Sequence, residues 1–286
     1  MGIRELRDNE LTAAAGCLHD ACAEAARACG SYPPWTDASQ AAALAAEYLE
    51  LEPAGALVAT TGGCLTGVGF VRHLGEAATI GPFAARIGSK GVGSSMLDEL
   101  IARAEGWGCA SIRLFLSSWN TRAFALCSTK GFAVVDVAAH VRRPCCPLPR
   151  FGAARGLEMV PYRSSDADEV LTLDRRLTGL ERIPELERAV CLVARRRGSL
   201  VGFVARKDDF VGPALALDVS DLGILIAKAL GDNAPAACRI STAAPTAMLA
   251  VLGLGFAVEE IVLVMSRGVL PPARPPQLYS PWPGVV

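Results

Sequence analysis

Several things are missing from this 286-residue chain, and each absence excludes a class of function. It has no large charge of either sign: 28 Lys+Arg stand against 29 Asp+Glu, a formal net charge of −1. A nucleic-acid protein usually shows a basic face, so the balance argues against that partner. Small anionic ligands remain open, because backbone N–H groups bind phosphate without net charge. No apolar run reaches the ~18 residues of a membrane span. The opening stretch MGIRELRDNE carries charge and no apolar h-region, so it does not read as a secretory signal. Gly2 is followed by Leu6 where N-myristoylation wants Ser or Thr. The expectation is a soluble, cytoplasmic chain without membrane contact. Histidine is scarce (His19, His73 and His140) and shows no ligand spacing, and no Cys-x-x-Cys occurs, so no metal is expected.

What is present is apolar. Hydrophobic residues make up 51% and charged residues 20%, which is globular rather than disordered. The ten cysteines read as buried reduced thiols in a chain of this size. At ~150 residues per domain the length suggests two domains. A Pro-rich stretch at 142–156, RRPCCPLPRFGAARG, interrupts regular structure through Pro144, Pro147 and Pro149. The expected division is a domain at 1–143, a linker at 144–156, a second domain at 157–268 and a Pro-rich tail at 269–286. Tyr279 and Trp282 suggest that the tail packs on the body.

The two halves share motifs in the same order. Val68-Gly69-Phe70-Val71 recurs as Val201-Gly202-Phe203-Val204, Gly81-Pro82 as Gly212-Pro213, and Gly131-Phe132 as Gly255-Phe256. In the first half, β-rich runs at 57–61, 68–73 and 77–84 precede a helix whose apolar positions Met96, Leu97, Leu100, Ile101 and Ala104 fall at helical spacing. A strand at 111–116, a helix at 120–130 and a last strand at 132–140 follow. The second half repeats the alternation, ending on a strand at 256–265. This predicts a mixed α/β architecture, a sheet between helices, in each half.

The segment Gly88-Ser89-Lys90-Gly91-Val92-Gly93-Ser94-Ser95 lies between a strand and that amphipathic helix. Glycines permit positive φ and bring N–H groups close to a ligand, and the helix start adds its own. Together they read as a phosphate cradle. It is not a P-loop, because no Gly-Lys-Ser/Thr follows. It is not a dinucleotide fingerprint, because Met96 stands where Gly is needed.

From Ile80 to Phe132 the chain resembles the acetyl-CoA core of the GNAT N-acetyltransferase superfamily. That family's turn runs Arg/Gln-x-x-Gly-x-Gly/Ala; Gly91 and Gly93 match it, and Asn120, Ala123 and Gly131-Phe132 match a second coenzyme-contacting segment. Two positions depart: Gly88 replaces the Arg/Gln, and Cys127 stands at the position of the family's general-acid Tyr. The resemblance implies two tandem GNAT-like acyl-CoA N-acyltransferase folds, the second degenerate. It implies acetyl-CoA as cosubstrate and direct acetyl transfer to a primary amine, expected on a small molecule. A non-catalytic CoA-binding regulatory module is the alternative. It places the pyrophosphate on Gly88, Ser89, Lys90, Gly91, Val92, Gly93 and Ser94, the pantetheine arm and thioester along the strand to Phe83 and Ala84, and further contacts at Asn120 and Ala123. Cys127 is the candidate acid, and His73 and Glu76 are candidate bases. Tyr32 and Trp35, between the first two helices, are candidates for the acceptor pocket. The second half carries acid, Asp218 and Asp221, where a pyrophosphate would sit. Its Asp174-Arg175, Gly179, Arg182 and Gly212-Pro213 resemble the C-terminal domain of the YitH/holothin acyltransferase type, which makes Asp174, Arg175 and Arg182 candidate acceptor contacts.

Overall fold

The computed structural model describes residues 1–35, 37–148, 156–231, 234–269, 277–279 and 284–285. In chain order the elements are β1 (Gly2–Glu5), α1 (Leu11–Ala28), α2 (Ala38–Leu51), β2 (Ala56–Thr61), β3 (Cys64–Leu74), β4 (Ala77–Ala85), α3 (Val92–Gly106), β5 (Ser111–Ser117), α4 (Thr121–Thr129) and β6 (Ala133–Arg143). There follow β7 (Leu157–Pro161), α5 (Ala167–Thr178), α6 (Ile183–Glu187), β8 (Val190–Arg196), β9 (Ser199–Lys207), β10 (Phe210–Ala216), α7 (Val219–Leu230), β11 (Ala236–Ser241), α8 (Pro245–Gly253) and β12 (Ala257–Gly268). Two short strands, β13 (Gln277–Leu278) and β14 (Gly284–Val285), close the chain. From β1 to α4 and again from β7 to α8 the order is the same: β-α-α-β-β-β-α-β-α.

The chain forms two compact units. Unit 1 comprises Met1–Val135, Leu263–Val269 and Trp282–Val286; unit 2 comprises Asp136–Val262 and Leu270–Pro281. This corrects the contiguous division expected from the sequence. Most of β6 pairs in unit 2, where Ala138 to Arg143 run antiparallel to β11, and Ala139 and Val141 enter the core of that unit. The C-terminal part of β12 joins unit 1, where Met265 enters the core. Alternating apolar residues mark both as strands, but the pattern is the same whichever neighbour a strand pairs with. Residues 149–155 of the proline-rich linker lie outside the described residues.

In unit 1 the strands run β1-β2-β3-β4-β5 and then β12. One sheet face packs on α1 and α2 through Leu18, Cys22, Leu44, Tyr48, Val68 and Phe70. The other packs on α3 and α4 through Val71, Ile80, Met96, Leu97, Leu100 and Cys127. Each such fully buried aliphatic side chain contributes about 1.5–3 kcal/mol. The repeated glycine of Val-Gly-Phe-Val has a packing cause. A Cβ on Gly69 would sit 2.9 Å from Leu100 Cδ1 on α3. A Cβ on Gly202 would sit 2.6 Å from the Leu215 carbonyl oxygen and 3.1 Å from Leu225 Cδ1 on α7. Both strands need a bare backbone where a helix or neighbouring strand comes close. Unit 2 has the same layers, with α7 and α8 on one face and α5 and α6 on the other. Its strand order is β6-β11-β10-β9-β8-β7, with β13 between β11 and β10.

Candidate active site

The site of interest lies in unit 1, where two parallel strands separate. β4 and β5 pair from Ala77↔Ser111 to Thr79↔Arg113 and no further. Between Gly69 and Val71 of β3, the pairing register on β4 skips from Phe83 to Ile80, so a bulge falls at Gly81-Pro82. A bulge bends its strand and re-aims the residues that follow, and proline donates nothing to the ladder. Beyond it, Phe83, Ala84 and Ala85 run along the wall of a cavity of about 320 Å³. Ala21, Ala25, Ala28 and Cys29 of α1 and its C-cap form a second wall, and Asn120, Arg122, Ala123 and Leu126 a third. The floor is Ser89, Gly91, Gly93 and Ser94, where α3 begins.

That helix start is chemically open. Its N-cap is Gly91, at φ +78° and with no capping side chain. Gly93 has the same small profile: a Cβ there would meet only Ala85 Cβ and Leu126 Cδ2, each at 3.8 Å. The first-turn N–H groups of an α-helix have no intrahelical acceptor, so those of Gly93 and Ser94 are available to a ligand at the positive end of the helix dipole. By contrast α2 is capped by Asp37, whose carboxylate accepts from Ser39 N at 2.7 Å.

Not every expected cradle residue faces the cavity. Ser89 N donates to Arg86 O at 3.1 Å, Lys90 N to Gly88 O at 3.0 Å and Val92 N to Ser89 O at 3.3 Å. These bonds hold the turn itself, which narrows the available backbone donors to those nearer α3. Val92 is buried in the core, where a Cβ on Gly67 would come within 2.9 Å of its Cγ1. Gly88 and Lys90 are exposed and stand outside the cavity wall. Phe83, Ala84, Ser89, Gly91, Gly93, Ser94, Asn120 and Ala123 line it. Asn120 is buried, and its carboxamide oxygen accepts from Ala123 N at 2.9 Å to cap α4. Its carboxamide nitrogen is the group left to face a ligand. Sequence reasoning missed Arg86 and Arg122, the two cationic residues of the cavity wall. Both adjoin recognised features: Arg86 follows β4 directly, and Arg122 lies in the first turn of α4 beside Asn120.

The candidate acid and bases are placed elsewhere. Cys127 is fully buried in the α3–α4 core, and burial pushes its thiol up to about 12. Such a thiol is a poor proton donor and does not line the cavity, so Cys127 packs as a core residue. His73 and Glu76 belong to the β3–β4 hairpin, where His73 pairs with Ala78 and its ring lies 5.8 Å from that of Trp107. Phe83 is at the other end of β4, about 20 Å away at the ordinary rise of a strand. Neither residue meets the cavity. Tyr32 is 92% exposed, and Trp35 packs at the edge of the α1–α2 core; neither lines the cavity.

In unit 2, Asp174 and Arg182 form a buried pair, with Arg182 Nε to Asp174 Oδ2 at 2.9 Å and Nη2 to Oδ1 at 2.5 Å. Arg182 is 1% exposed and its guanidinium lies 5.9 Å from the Phe203 ring centroid. Both charges are satisfied by each other inside the core, and neither residue lines the cavity. Arg175 is exposed and pairs with Glu181. The counterpart of the open helix start is closed. Asp218 caps α7, its carboxylate accepting from Ser220 N at 2.8 Å and Ser220 Oγ at 2.6 Å. Asp221, buried in the same first turn, is held by Arg196 at 2.6 Å.

Among the described residues no group of three or more His, Cys, Asp or Glu is placed to hold a metal, and no helix is long and apolar enough to cross a membrane. No protein-family model and no curated protein matches the chain by sequence. Solved structures match it nearly end to end. A candidate acetyltransferase from Pyrococcus horikoshii superposes with a TM-score of 0.78 at 18% identity, over 98% of this chain and 93% of that one. A GCN5-related N-acetyltransferase from Sphaerobacter thermophilus gives 0.67 at 14% identity, over 94% and 96%. A tandem GNAT protein from the clavulanic acid biosynthesis pathway gives 0.58 at 13% identity, over 93% and 98%. Two units of one element order, a parted β4–β5 pair and a glycine-started helix facing the cavity agree with these likenesses: the chain has the fold of the GCN5-related N-acetyltransferases.

Proposed function

We propose that unit 1 binds an acyl-CoA, acetyl-CoA in the first instance, and transfers the acyl group to a primary amine of a small molecule. The observation that carries this is the uncapped start of α3 at Gly91, opening into a cavity walled by the end of β4 that no longer pairs with β5. The residues present fit the coenzyme. First-turn N–H groups at Gly93 and Ser94 suit a pyrophosphate, and Arg86 and Arg122 add positive charge on either side. The edge of β4 beyond the bulge offers backbone groups to an extended chain with amides. Its N–H groups near Phe83 suit a thioester oxygen in the manner of an oxyanion hole.

With Cys127 in the core and His73 and Glu76 at the far end of the sheet, this chain supplies no general acid or base that the sequence singled out. The reading is therefore direct attack by a neutral amine, with positioning as the main contribution. The coenzyme supplies an activated carbonyl and a thiolate that leaves without a proton donor. A near-neutral chain gives no sign of a highly charged polymeric acceptor. The test is release of CoA thiol on mixing acetyl-CoA with a panel of primary amines. Release that rises with one class of amine supports the reading. Coenzyme binding with no amine-dependent release contradicts transfer and leaves a CoA-binding module.

A further inference from the structure

The chain's last strand stands in the parting that the coenzyme reading needs. Beyond Thr79↔Arg113, β4 and β5 no longer pair with each other, and each presents a backbone edge to the gap. β14 enters this gap, with Gly284 opposite Phe115 and Val285 opposite Leu116, parallel to β5 and lying against β4. Such an edge recognises an extended chain bearing amide groups. The pantetheine arm of a CoA is such a chain, and so is a peptide strand. The two compete for one place.

Unit 2 shows the same device in a fixed form. β10 and β11 pair in parallel only at Phe210↔Ala237. β13 fills their parting: Leu278 pairs with Ala214 of β10 and with Ile240 of β11, and Gln277 pairs with Leu215. This plug is anchored. Tyr279 N donates to Arg239 O at 2.9 Å, and the Tyr279 hydroxyl donates to the Asp136 carboxylate. Gly212 makes room for it, since a Cβ there would sit 2.4 Å from Tyr279 O. Six residues further on, the same tail makes its second insertion, through Gly284 and Val285.

We propose that residues 284–285 are an autoinhibitory strand: they occupy the β4–β5 gap of unit 1 and must leave it before an acyl-CoA arm can enter. This rests on the acyl-CoA reading of unit 1. A gap closed nine times in ten lowers the apparent affinity for coenzyme about tenfold. The test compares the full chain with a full-length Gly284→Pro/Val285→Pro variant, which cannot donate from either residue, and with a chain ending at Pro281. Each is titrated calorimetrically with acetyl-CoA, and the shortened chain also with a peptide of sequence WPGVV. Both altered proteins are expected to bind acetyl-CoA about tenfold more tightly than the full chain. The peptide is expected to bind the shortened chain and to be displaced by acetyl-CoA. Equal affinities in all three, or peptide and acetyl-CoA binding together, overturns the proposal. Amide hydrogen exchange at Phe115 and Leu116 separates it from the coenzyme reading. If no protein binds acetyl-CoA, that reading fails and autoinhibition with it. Slower exchange in the full chain than in the double-proline variant then still assigns β14 to the gap as a strand site, and equal exchange removes that too.

Discussion

In unit 1 the helix after the fourth strand starts at Gly91, with no side chain over its first N–H groups. In unit 2 the equivalent helix starts at Asp218, whose own carboxylate sits on Ser220 N at 2.8 Å. The two units share an element order, a Gly-Pro at a strand irregularity, and a glycine where a helix crosses the middle strand of each β-β-β run. They differ in what meets the positive end of one helix. The first is open; an internal carboxylate already occupies the second. Two units can therefore share their packing rules while one closes its helix start with a residue that caps the helix.

The comparison can be broken in several places. The largest expected effect is on ligand binding. Gly93→Trp fills the space between Ala85 and Leu126, and is expected to lower acetyl-CoA affinity by at least about a hundredfold, with the circular dichroism spectrum and melting temperature unchanged. Ser220→Trp, at the matching place in unit 2, is expected to leave that affinity unaltered. If both variants weaken binding, the two helix starts are not as different as described.

Next come the buried charges. Asp174→Ala leaves Arg182 uncompensated in the core and is expected to cost about 3–5 kcal/mol in chemical denaturation. Acetyl-CoA affinity of the folded fraction should stay at the native value. A weaker acceptor KM with unchanged stability would restore Asp174 to the acceptor site.

The glycines of the shared motif sharpen the packing side. Gly202→Ala presses on a backbone oxygen at 2.6 Å, whereas Gly69→Ala presses on side-chain carbons at 2.9 Å. Both should destabilise by about 1–3 kcal/mol, with Gly202→Ala the costlier because a backbone carbonyl gives way less easily. The reverse order, measured by urea unfolding, would mean that the two crossings are not equivalent.

A smaller effect is on pH dependence. Burial, with Arg239 and Arg142 nearby, lowers His140 in unit 2 to about 3, although Glu259, which also pairs with Arg142, lies 3.9 Å away. The folded state thus holds His140 neutral while the unfolded chain binds a proton below about pH 6.5. Stability is unaffected above that pH and is lost as pH falls towards the folded value, by at most about 1.4 kcal/mol per unit. His140→Gln should flatten this slope between pH 6.5 and 5. The smallest effect is Cys127→Ala. It should leave the pH profile of acetyl transfer unchanged, because a thiol held near 12 stays protonated throughout the working range.

Much of this was legible before the coordinates. The repeated Val-Gly-Phe-Val marks the same event twice, a helix passing over a bare strand, and a close approach leaves a glycine in the sequence. Gly91 marks the helix start for a different reason, its positive φ of +78°. The exchange of strands between units was not legible. Residues 136–143 and 263–269 alternate as any strand does, and alternation carries no record of the partner. Arg86 and Arg122 were not legible because the motif around them is written in glycines and one Asn, which mark backbone geometry and not the charge beside it. His73 and Glu76 misled because they adjoin the right strand at the wrong end. Nine residues of extended chain separate its two ends by more than any side chain spans. Cys127 misled because a motif position fixes where a Cα lies along a helix, not whether the shorter side chain there reaches a ligand.

The central claim is that the uncapped start of α3 is an anion site for acyl-CoA. Calorimetric titration of the wild-type chain and of Gly93→Trp with acetyl-CoA, with ATP and NAD as controls, tests it most directly. Micromolar binding of acetyl-CoA to the wild type alone, with ATP and NAD inert, is the predicted result. Equal binding of acetyl-CoA to wild type and Gly93→Trp, or none to the wild type, would contradict it.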